Sequence, residues 1–229
     1  MVAADVGLRT ELAAGLRALE LDLTDTQLTQ LLDYQALIGK WTQVYNLTAV
    51  RDPQEMLTHH LLDSLAAVVP LNRQLKSLGL EDGTKLLDVG SGAGLPGVVI
   101  AICCPGVAVS CVDTVAKKAA FVRQAALALK LPNLTGLHAR VETLTQPFDV
   151  ICSRAFASLG DFVRWSRPAL AERGIWMAMK GKHPADELVQ LPSQVEVFHV
   201  EQLAVPGLQA ERCILWLRPV QLSDVPPMA

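Results

Sequence analysis

The sequence has no excess of positive charge. Its 229 residues contain 20 Lys and Arg against 23 Asp and Glu, which gives a formal net charge of −3. A chain with this balance has no global field that would attract nucleic acid. The composition therefore disfavours a nucleic-acid substrate without excluding one, because a small local patch can still serve, particularly when the substrate comes as part of a larger particle.

Metal-ligand spacing is also missing, and we expect no metal site. No two cysteines form a C-x-x-C pair, and buried, reduced thiols of a cytosolic protein are the better interpretation. His60 and Asp63 share a helix face at i and i+3, beside His59, and a hydrogen bond on the helix surface is favoured there over a metal. The five cysteines are Cys103, Cys104, Cys111, Cys152 and Cys213.

No segment predicts export or a membrane span. The first residues lack a basic region followed by an apolar block, so a signal peptide is not expected. The stretch between Asp88 and Asp113 is uncharged, but glycines and prolines interrupt it, which favours buried α/β core over a bilayer helix. Two other enzyme motifs fail as well: G-x-S-x-G is absent, and the spacing from Gly174 to Lys182 is too long for a P-loop. We expect a cytoplasmic protein without a membrane partner.

What the sequence does contain is a change of hydrophobic period near residue 84. Before it, helical spacing predicts three helices: one through Leu12 and Leu16, one from a capping box at Thr24 to Val44, and one from Asp52-Pro53 through Leu57, Leu61, Leu65 and Val68. After it, strands alternate with helices, which predicts a parallel sheet wound on both sides. The predicted strands are 85–89, 107–113, 134–139, 148–153, 174–180 and a closing antiparallel hairpin at one edge. We expect a helical extension over 1–83 packed on a core domain over 84–220, with a flexible tail over 221–229.

Residues 86–97, LLDVGSGAGLPG, contain two overlapping glycine motifs. GAGLPG fits the dinucleotide pattern G-x-G-x-x-G, whereas D-x-G-x-G-x-G, with Asp88, Gly90 and Gly92, is typical of S-adenosylmethionine sites. A carboxylate beside the turn would oppose a pyrophosphate but suits a sulfonium or ammonium group, directly or through water. The sequence therefore favours S-adenosylmethionine as the cofactor.

Further polar residues follow the other predicted strands and are expected at the same edge of the sheet. Asp113 either binds ribose hydroxyls or is a solvated acid at a strand end. Val141 and Glu142 follow the third strand, where the adenine ring is commonly bound, and Glu142 also fits a surface acid. Arg154 ends the fourth strand, either toward a ligand or in a salt bridge to Asp88 or Glu142. The segment MKGKH, with Lys180 and Lys182, forms either a solvated loop or a local basic patch together with Arg164, Arg167 and His183.

Taken in order, the motifs resemble those of one family. They are YNLTAVRD, HHLLDSL, LLDVGSGAGLPG, VDTVAKKAAFV, HARVETL, SRAFASL and MKGK. From about Trp41 to Lys182 the chain is similar to the bacterial 16S rRNA guanine-N7 methyltransferases, formerly called glucose-inhibited division protein B. The pair Cys103-Cys104, after the glycine turn, departs slightly from the family's pattern, and we assign no role to it.

The resemblance implies a class I (Rossmann-like) S-adenosylmethionine-dependent methyltransferase fold, with a mostly parallel seven-stranded sheet and an antiparallel edge hairpin. It implies methyl transfer from S-adenosylmethionine to N7 of one guanine in the decoding-site pseudoknot loop of 16S rRNA, releasing S-adenosylhomocysteine. The implied partner is 16S rRNA in a small ribosomal subunit or its assembly intermediate, with no obligate protein partner. The implied cofactor contacts are Gly90, Leu95, Val141, Glu142 and Arg154.

The implied chemistry needs no general base, because guanine N7 carries an in-plane lone pair and no proton. Alignment and exclusion of water would suffice, so no catalytic acid or base is expected. Arg154, Lys180 and Lys182 are candidates for holding RNA phosphate or guanine O6. Two alternatives stay open: a methyltransferase for another RNA or a small molecule, and a nicotinamide-dependent oxidoreductase, against which Asp88 argues.

Overall fold

The structure, a computed structural model, describes residues 2–80 and 82–220 and contains one seven-stranded sheet. The strand order is β3-β2-β1-β4-β5-β7-β6. The first five strands pair in parallel, and β7 is antiparallel to both β5 and β6, so the predicted sheet and its hairpin are confirmed. The predicted tail over 221–229 lies outside the described residues. The strands are β1 (Lys85–Val89), β2 (Ala108–Asp113), β3 (Leu134–His138), β4 (Phe148–Arg154), β5 (Leu170–Lys180), β6 (Val195–Gln202) and β7 (Cys213–Pro219).

The strand order reverses between β1 and β4, which are neighbours although two other strands separate them in sequence order. Crossovers from β1 run to one side and those from β4 to the other, so a crevice opens at the carboxyl ends of these two strands. Such switch points are where α/β sheets bind ligands. The sheet is covered on both faces, because Leu86 belongs to one buried apolar cluster and Leu87 to the other.

Helices connect the strands, and one helix and one strand differ from expectation. α6 (Gly97–Cys103) and α7 (Ala116–Ala128) follow β1 and β2, and α8 (Leu159–Ser166) follows β4. α9 (Ala185–Val189) has only five residues, fewer than the helix that the segment HPADELVQL (183–191) predicts, since proline residues lie on both sides of it. β5 begins at Leu170, before the predicted 174, and its pairing with β4 shifts register after Phe148.

The amino-terminal helices pack on the face of the sheet that α6 and α7 cover. They are α1 (Val2–Ala18), α2 (Asp25–Tyr45), α3 (Pro53–Met56), α4 (Asp63–Leu65) and α5 (Val68–Leu78). The capping box of Thr24 and Gln27 is confirmed. α2 buries Leu31, Tyr34 and Ile38, whereas Val44, which we had placed on its apolar stripe, is 71% exposed. The domain boundary at residue 83 stays a prediction, because one apolar cluster runs through helices and sheet alike.

The third predicted helix is not continuous. Between α3 and α4, Leu57–Leu62 form a π-helical segment, in which the backbone N–H of Asp63 reaches the carbonyl of Thr58, five residues back. The chain then turns at residues 66–67 before α5. π-Helical turns are rare and are found frequently at functional sites.

The described residues 2–80 and 82–220 include no helix with the length and apolar character that a bilayer crossing requires. All five cysteines are free, and Cys104, Cys111, Cys152 and Cys213 are buried. Burial raises the pKa of the Cys104 thiol to about 11, so the thiol is protonated at neutral pH.

Candidate functional site

The turn after β1 requires glycine for two different reasons. Gly90, Gly92 and Gly94 all have positive φ, from +58° to +86°, a region that side chains disfavour. A Cβ on Gly90 would lie 2.4 Å from the ring of Phe156, so this glycine also provides space. A Cβ on Gly92 would meet nothing closer than the Gly90 carbonyl oxygen at 4.0 Å. The backbone at Gly92 therefore faces open space.

Two carboxylates and one phenol hold this turn in place. Asp88 Oδ2 accepts a hydrogen bond from Gly97 N–H at 2.8 Å, and Asp113 Oδ2 accepts one from Gly92 N–H at 3.0 Å. From α2, the Tyr34 hydroxyl donates to the Ala93 carbonyl at 2.6 Å. Side chains from α2, β1 and β2 thus all fix the turn.

Asp88 lies beneath the turn and not at its open side. Its side chain is completely buried, and burial raises the pKa of its carboxyl to about 7, against the lowering effects of the Gly97 N–H and the Arg154 charge. Of the two contacts predicted for Asp88, the direct one with a cationic ligand does not fit this placement, and the water-bridged one stays a prediction. Its observed role is to anchor the first residue of α6.

Two cavities open at the carboxyl edge of the sheet and meet at Gly90 and Ala155, which line both. The first, of about 520 Å³, lies toward the helical extension, and the second, of about 470 Å³, lies toward β2 and β3. Of the predicted site residues, the first cavity is lined by Gly90, Gly92, Leu95, Arg154 and Lys180. The second is lined by Asp113, Val141 and Glu142.

The second cavity is lined by both apolar and charged side chains. Val141 is buried at the start of a short 3₁₀ turn, Val141–Thr143, while Glu142 beside it is exposed. Trp165 lines the same cavity and packs edge-on against Phe156 at 5.9 Å between ring centroids. Asp113 also lines this cavity, is 7% exposed, and has its Oδ2 3.7 Å from Lys118 Nζ. A flat apolar ring with a hydroxylated group attached would match this arrangement.

Arg154 forms an ion pair that sequence reasoning did not find. Its Nη1 donates to Asp63 Oδ2 at 2.7 Å, and Arg212 Nε donates to the other oxygen, Oδ1, at 2.7 Å. The salt bridge from Arg154 to Asp88 or Glu142 that we considered is therefore wrong. All three side chains of this cluster line the first cavity.

Arg212 was missed because it immediately precedes an antiparallel strand, β7. Lys180, at the end of β5, pairs with Cys213 at the start of β7. The amino end of β7 thus shares the rim with the carboxyl ends of the parallel strands. The predicted antiparallel hairpin is consistent with this position, because the residue before an antiparallel strand next to β5 lies at the same edge of the sheet as the end of β5.

The expected hydrogen bond between His60 and Asp63 is also wrong. Both side chains are buried, not on the helix surface, and His60 Nε2 lies 2.9 Å from the Thr48 hydroxyl. Burial lowers the pKa of His60, so this ring is neutral at neutral pH. Across residues 2–80 and 82–220, no cluster of three or more His, Cys, Asp or Glu is placed to hold a metal ion.

The predicted basic patch is only partly assembled. Lys180 Nζ is paired with both oxygens of Glu187 at 2.9 and 3.0 Å, and Arg164 is paired with Asp161. Lys182 is exposed, as are Arg167 and His183, and it lines neither cavity. The positive charge that faces the first cavity is therefore centred on the two arginines.

Comparisons with known proteins agree with this geometry. A family model described as rRNA small subunit methyltransferase G matches residues 27–215. A protein of Polaromonas naphthalenivorans (strain CJ2), named Ribosomal RNA small subunit methyltransferase G, is 73% identical over 220 residues, covering 96% of this chain and 100% of that protein.

Solved structures show the same fold at low sequence identity. A SAM-dependent methyltransferase from Aquifex aeolicus is similar with a TM-score of 0.52 and 18% identity, covering 74% of this chain and 99% of that one. TrmN from Thermus thermophilus has a TM-score of 0.54 and 19% identity over 72% of this chain, which spans about half (53%) of TrmN. The predicted methyltransferase fold class is confirmed.

Proposed function

The chain belongs to the rRNA small subunit methyltransferase G family, and from this premise we propose that it methylates N7 of a single guanine in the decoding-site pseudoknot loop of 16S rRNA. The methyl donor is S-adenosylmethionine, and S-adenosylhomocysteine is the product. The observation that carries the proposal is the pair of cavities joined at Gly90 and Ala155. Such a pair suits a cofactor with two chemically different halves beside an acceptor.

The residues present fit this cofactor. In the second cavity Asp113 would accept hydrogen bonds from ribose hydroxyls, while Val141 and Glu142 would flank the adenine. Near the junction, the backbone of Gly92 faces open space that a cofactor could occupy and that any Cβ would partly fill. Ser91 Oγ, buried beside it, has no hydrogen-bond partner among the described residues. The amino-acid end would lie there, close to Gly90 and Leu95.

Placing the cofactor in this way leaves the remaining space of the first cavity for the methyl acceptor. The cofactor supplies an electrophilic methyl group, and the protein orients and shields the reactants. Guanine N7 attacks with its lone pair and releases no proton, so the site needs alignment and exclusion of water more than a base. Arginine side chains on the cavity wall, Arg154 and Arg212, are suited to RNA phosphate or guanine O6.

The charge distribution bears on the form of the substrate. The whole chain is weakly acidic, whereas the wall of the first cavity carries cationic side chains. Since global attraction to free RNA is small, recognition of 16S rRNA folded in a small subunit or its assembly intermediate fits the chain best. Methylation of another RNA or a small molecule is the alternative.

The cofactor assignment is tested by thermal unfolding with S-adenosylmethionine, S-adenosylhomocysteine or NAD. A ligand that binds the folded state raises the Tm. We expect both adenosyl compounds to raise it and NAD to leave it unchanged. A shift with NAD alone would contradict the proposal. Transfer of labelled methyl from S-adenosylmethionine to unmodified 16S rRNA, free or in small subunits, then tests the acceptor.

RNA binding is tested by changing Lys180 and Lys182 together to Ala. We expect weaker binding of the RNA substrate and unchanged binding of S-adenosylmethionine, because neither lysine lines the second cavity and Lys180, in the first, is paired with Glu187. Lys180→Ala alone also leaves Glu187 without its partner, and Glu187→Gln is the control for that effect. Lys182→Ala is the cleaner single variant. Unchanged methylation by the double variant would remove these lysines from the RNA site.

A further inference from the structure

We infer that Asp63 is a positioning residue that sets Arg154 and Arg212 as a pair to bind one phosphate group of the acceptor RNA. The inference rests on the proposed function and assigns a role to a residue of the helical extension in the acceptor half of the site. Asp63 itself does not touch the acceptor. It acts through the two guanidinium groups that its carboxylate holds.

The contact geometry is that of a clamp. Each oxygen of the Asp63 carboxylate receives one arginine, at 2.7 Å in both cases, and its side chain is 5% exposed. The side chains of Arg154 and Arg212 are 19% and 23% exposed and reach the first cavity. Charge-assisted bonds of this kind fix guanidinium orientation because the group is planar and rigid.

The arginines keep donors for a ligand. A guanidinium has five N–H groups. Arg154 uses Nη1 for Asp63 and the His59 carbonyl, and Arg212 uses Nε for Asp63 and Nη1 for the Glu211 carbonyl. Nη2 of both therefore stays available among the described contacts. Two arginines and one carboxylate leave a net charge of one positive unit, which suits a phosphate oxygen.

Lys180 and His60, which also line this cavity, do not supply that charge. Lys180 is compensated by Glu187. Burial keeps the His60 ring neutral by lowering its pKa, and the ring lies against Thr48.

The π-helical segment explains how a helix supplies this carboxylate. Its wider turn bonds Asp63 N–H to the Thr58 carbonyl, five residues back. An α-helical path would rotate the following residues by about 100° relative to the observed one. Asp63 would then leave the two arginines. The wider turn and the clamp therefore belong to one local arrangement.

Asp63→Asn tests the inference, because a positioning role and a pure charge effect predict opposite results. Removing a negative charge makes the cavity more positive, so charge alone predicts tighter RNA binding. Loss of positioning predicts a KM for unmodified small subunits at least about tenfold higher, with kcat and the Kd of S-adenosylmethionine within about threefold of the parent. Asp63→Glu should recover part of the KM. Ser64→Ala, equally buried on the same helix, is the matched control and should leave KM unchanged.

Coupling to arginine is measured with Arg212→Gln and the double variant. If Asp63 acts through Arg212, the two effects on KM are strongly non-additive, whereas independent effects multiply. An unchanged or lower KM for Asp63→Asn, or simple multiplication, overturns the inference. A rise in the Kd of S-adenosylmethionine in place of the KM for small subunits also overturns it, because Arg154 would then act as the cofactor contact that the resemblance implies. Thermal unfolding confirms that each variant is folded; if Asp63→Asn is not, Arg212→Gln with Asp63→Glu decides. A parent protein that methylates no small-subunit RNA would instead refute the proposed function.

Discussion

At the scale of single residues, the glycine turn is held by two carboxyl groups in different environments. Asp113 keeps its carboxylate at the edge of a cavity while accepting bonds from Gly92 N–H and Val115 N–H. Asp88 is enclosed and has one oxygen, Oδ1, without a hydrogen-bond partner among the described residues. A buried carboxylate with an unused acceptor is costly when ionised. Asp88 therefore makes stability depend on pH.

Asp88→Asn should remove this pH dependence. The folded-state pKa of Asp88 is about 7, above its ordinary 3.8, so the folded chain binds a proton more tightly than the unfolded one. Its contribution to stability is present below about pH 4 and is lost as the pH rises through 7. The free energy of unfolding of Asp88→Asn minus that of the parent should increase by up to about 4 kcal/mol between about pH 4 and pH 8. Urea unfolding across this range measures it; parallel curves would contradict the assignment.

Gly90→Ala should damage the site more than the fold. The positive φ costs an alanine about 1–2 kcal/mol of unfolding free energy, and the new methyl displaces Phe156. We expect the Kd of S-adenosylmethionine to rise at least about tenfold. Gly39→Ala in α2, where a Cβ meets nothing within 4 Å, is the control and should gain about 0.5–1 kcal/mol. Calorimetry and urea unfolding check both, and equal cofactor affinity for both variants would rule out the crowding at Gly90.

At the scale of elements, α2 joins the helical extension to the site. Tyr34 is completely buried, and its hydroxyl supports the Ala93 carbonyl in the turn. Nearer the start of α2, the Gln27 and Gln30 amides donate to the carbonyls of Ile102 and Leu129 at the ends of two core helices. The extension thus fixes backbone groups of the core at several points.

Tyr34→Phe should lower the free energy of unfolding by about 1–2 kcal/mol, because it leaves the buried Ala93 carbonyl without its donor. Since that carbonyl lies in the turn, the Kd of S-adenosylmethionine should rise several-fold as well. Tyr45→Phe, on a residue that is 43% exposed, is the matched control and should change stability by less than about 0.5 kcal/mol. Equal effects of the two substitutions would remove the proposed link.

Elements with a strong local signal could be predicted from sequence, and those shaped by distant partners could not. The apolar strands, the capping box at Thr24 and the proline start of α3 are local signals, and all three are present. The π-helical segment has no local sequence signal, since its apolar residues also fit an α-helix. Val44 shows the same limit: helical spacing alone does not tell where the partner surface ends.

Parts of the candidate site could likewise be predicted from sequence, whereas others could not. Gly90, Gly92, Asp113 and Val141 could be placed at the sheet edge because parallel strands end together. The partner of Arg154 could not be predicted, because Asp63 is distant in sequence and reaches it only through the packing of the extension. The burial of Asp88 likewise depends on how α6 closes over β1.

At the scale of the whole molecule, sheet and extension share one apolar cluster, and the first cavity lies between them. Its walls combine residues of the extension, such as His60 and Asp63, with the glycine turn and the start of β7. The proposed cofactor half lies at the sheet edge, and the proposed acceptor half is lined by the extension as well. This division explains why the proposed acceptor contacts are spread over the chain.

The central claim is that this chain places one methyl group on guanine N7 in small-subunit rRNA, and mapping of N7-methylguanosine in 16S rRNA tests it most directly. The comparison uses cells with the protein, cells lacking it, and cells complemented with the parent or with Gly90→Ala. We predict that one modification in the decoding-site pseudoknot loop disappears without the protein, returns with the parent and returns poorly with Gly90→Ala. The same modification pattern in cells with and without the protein would contradict the account.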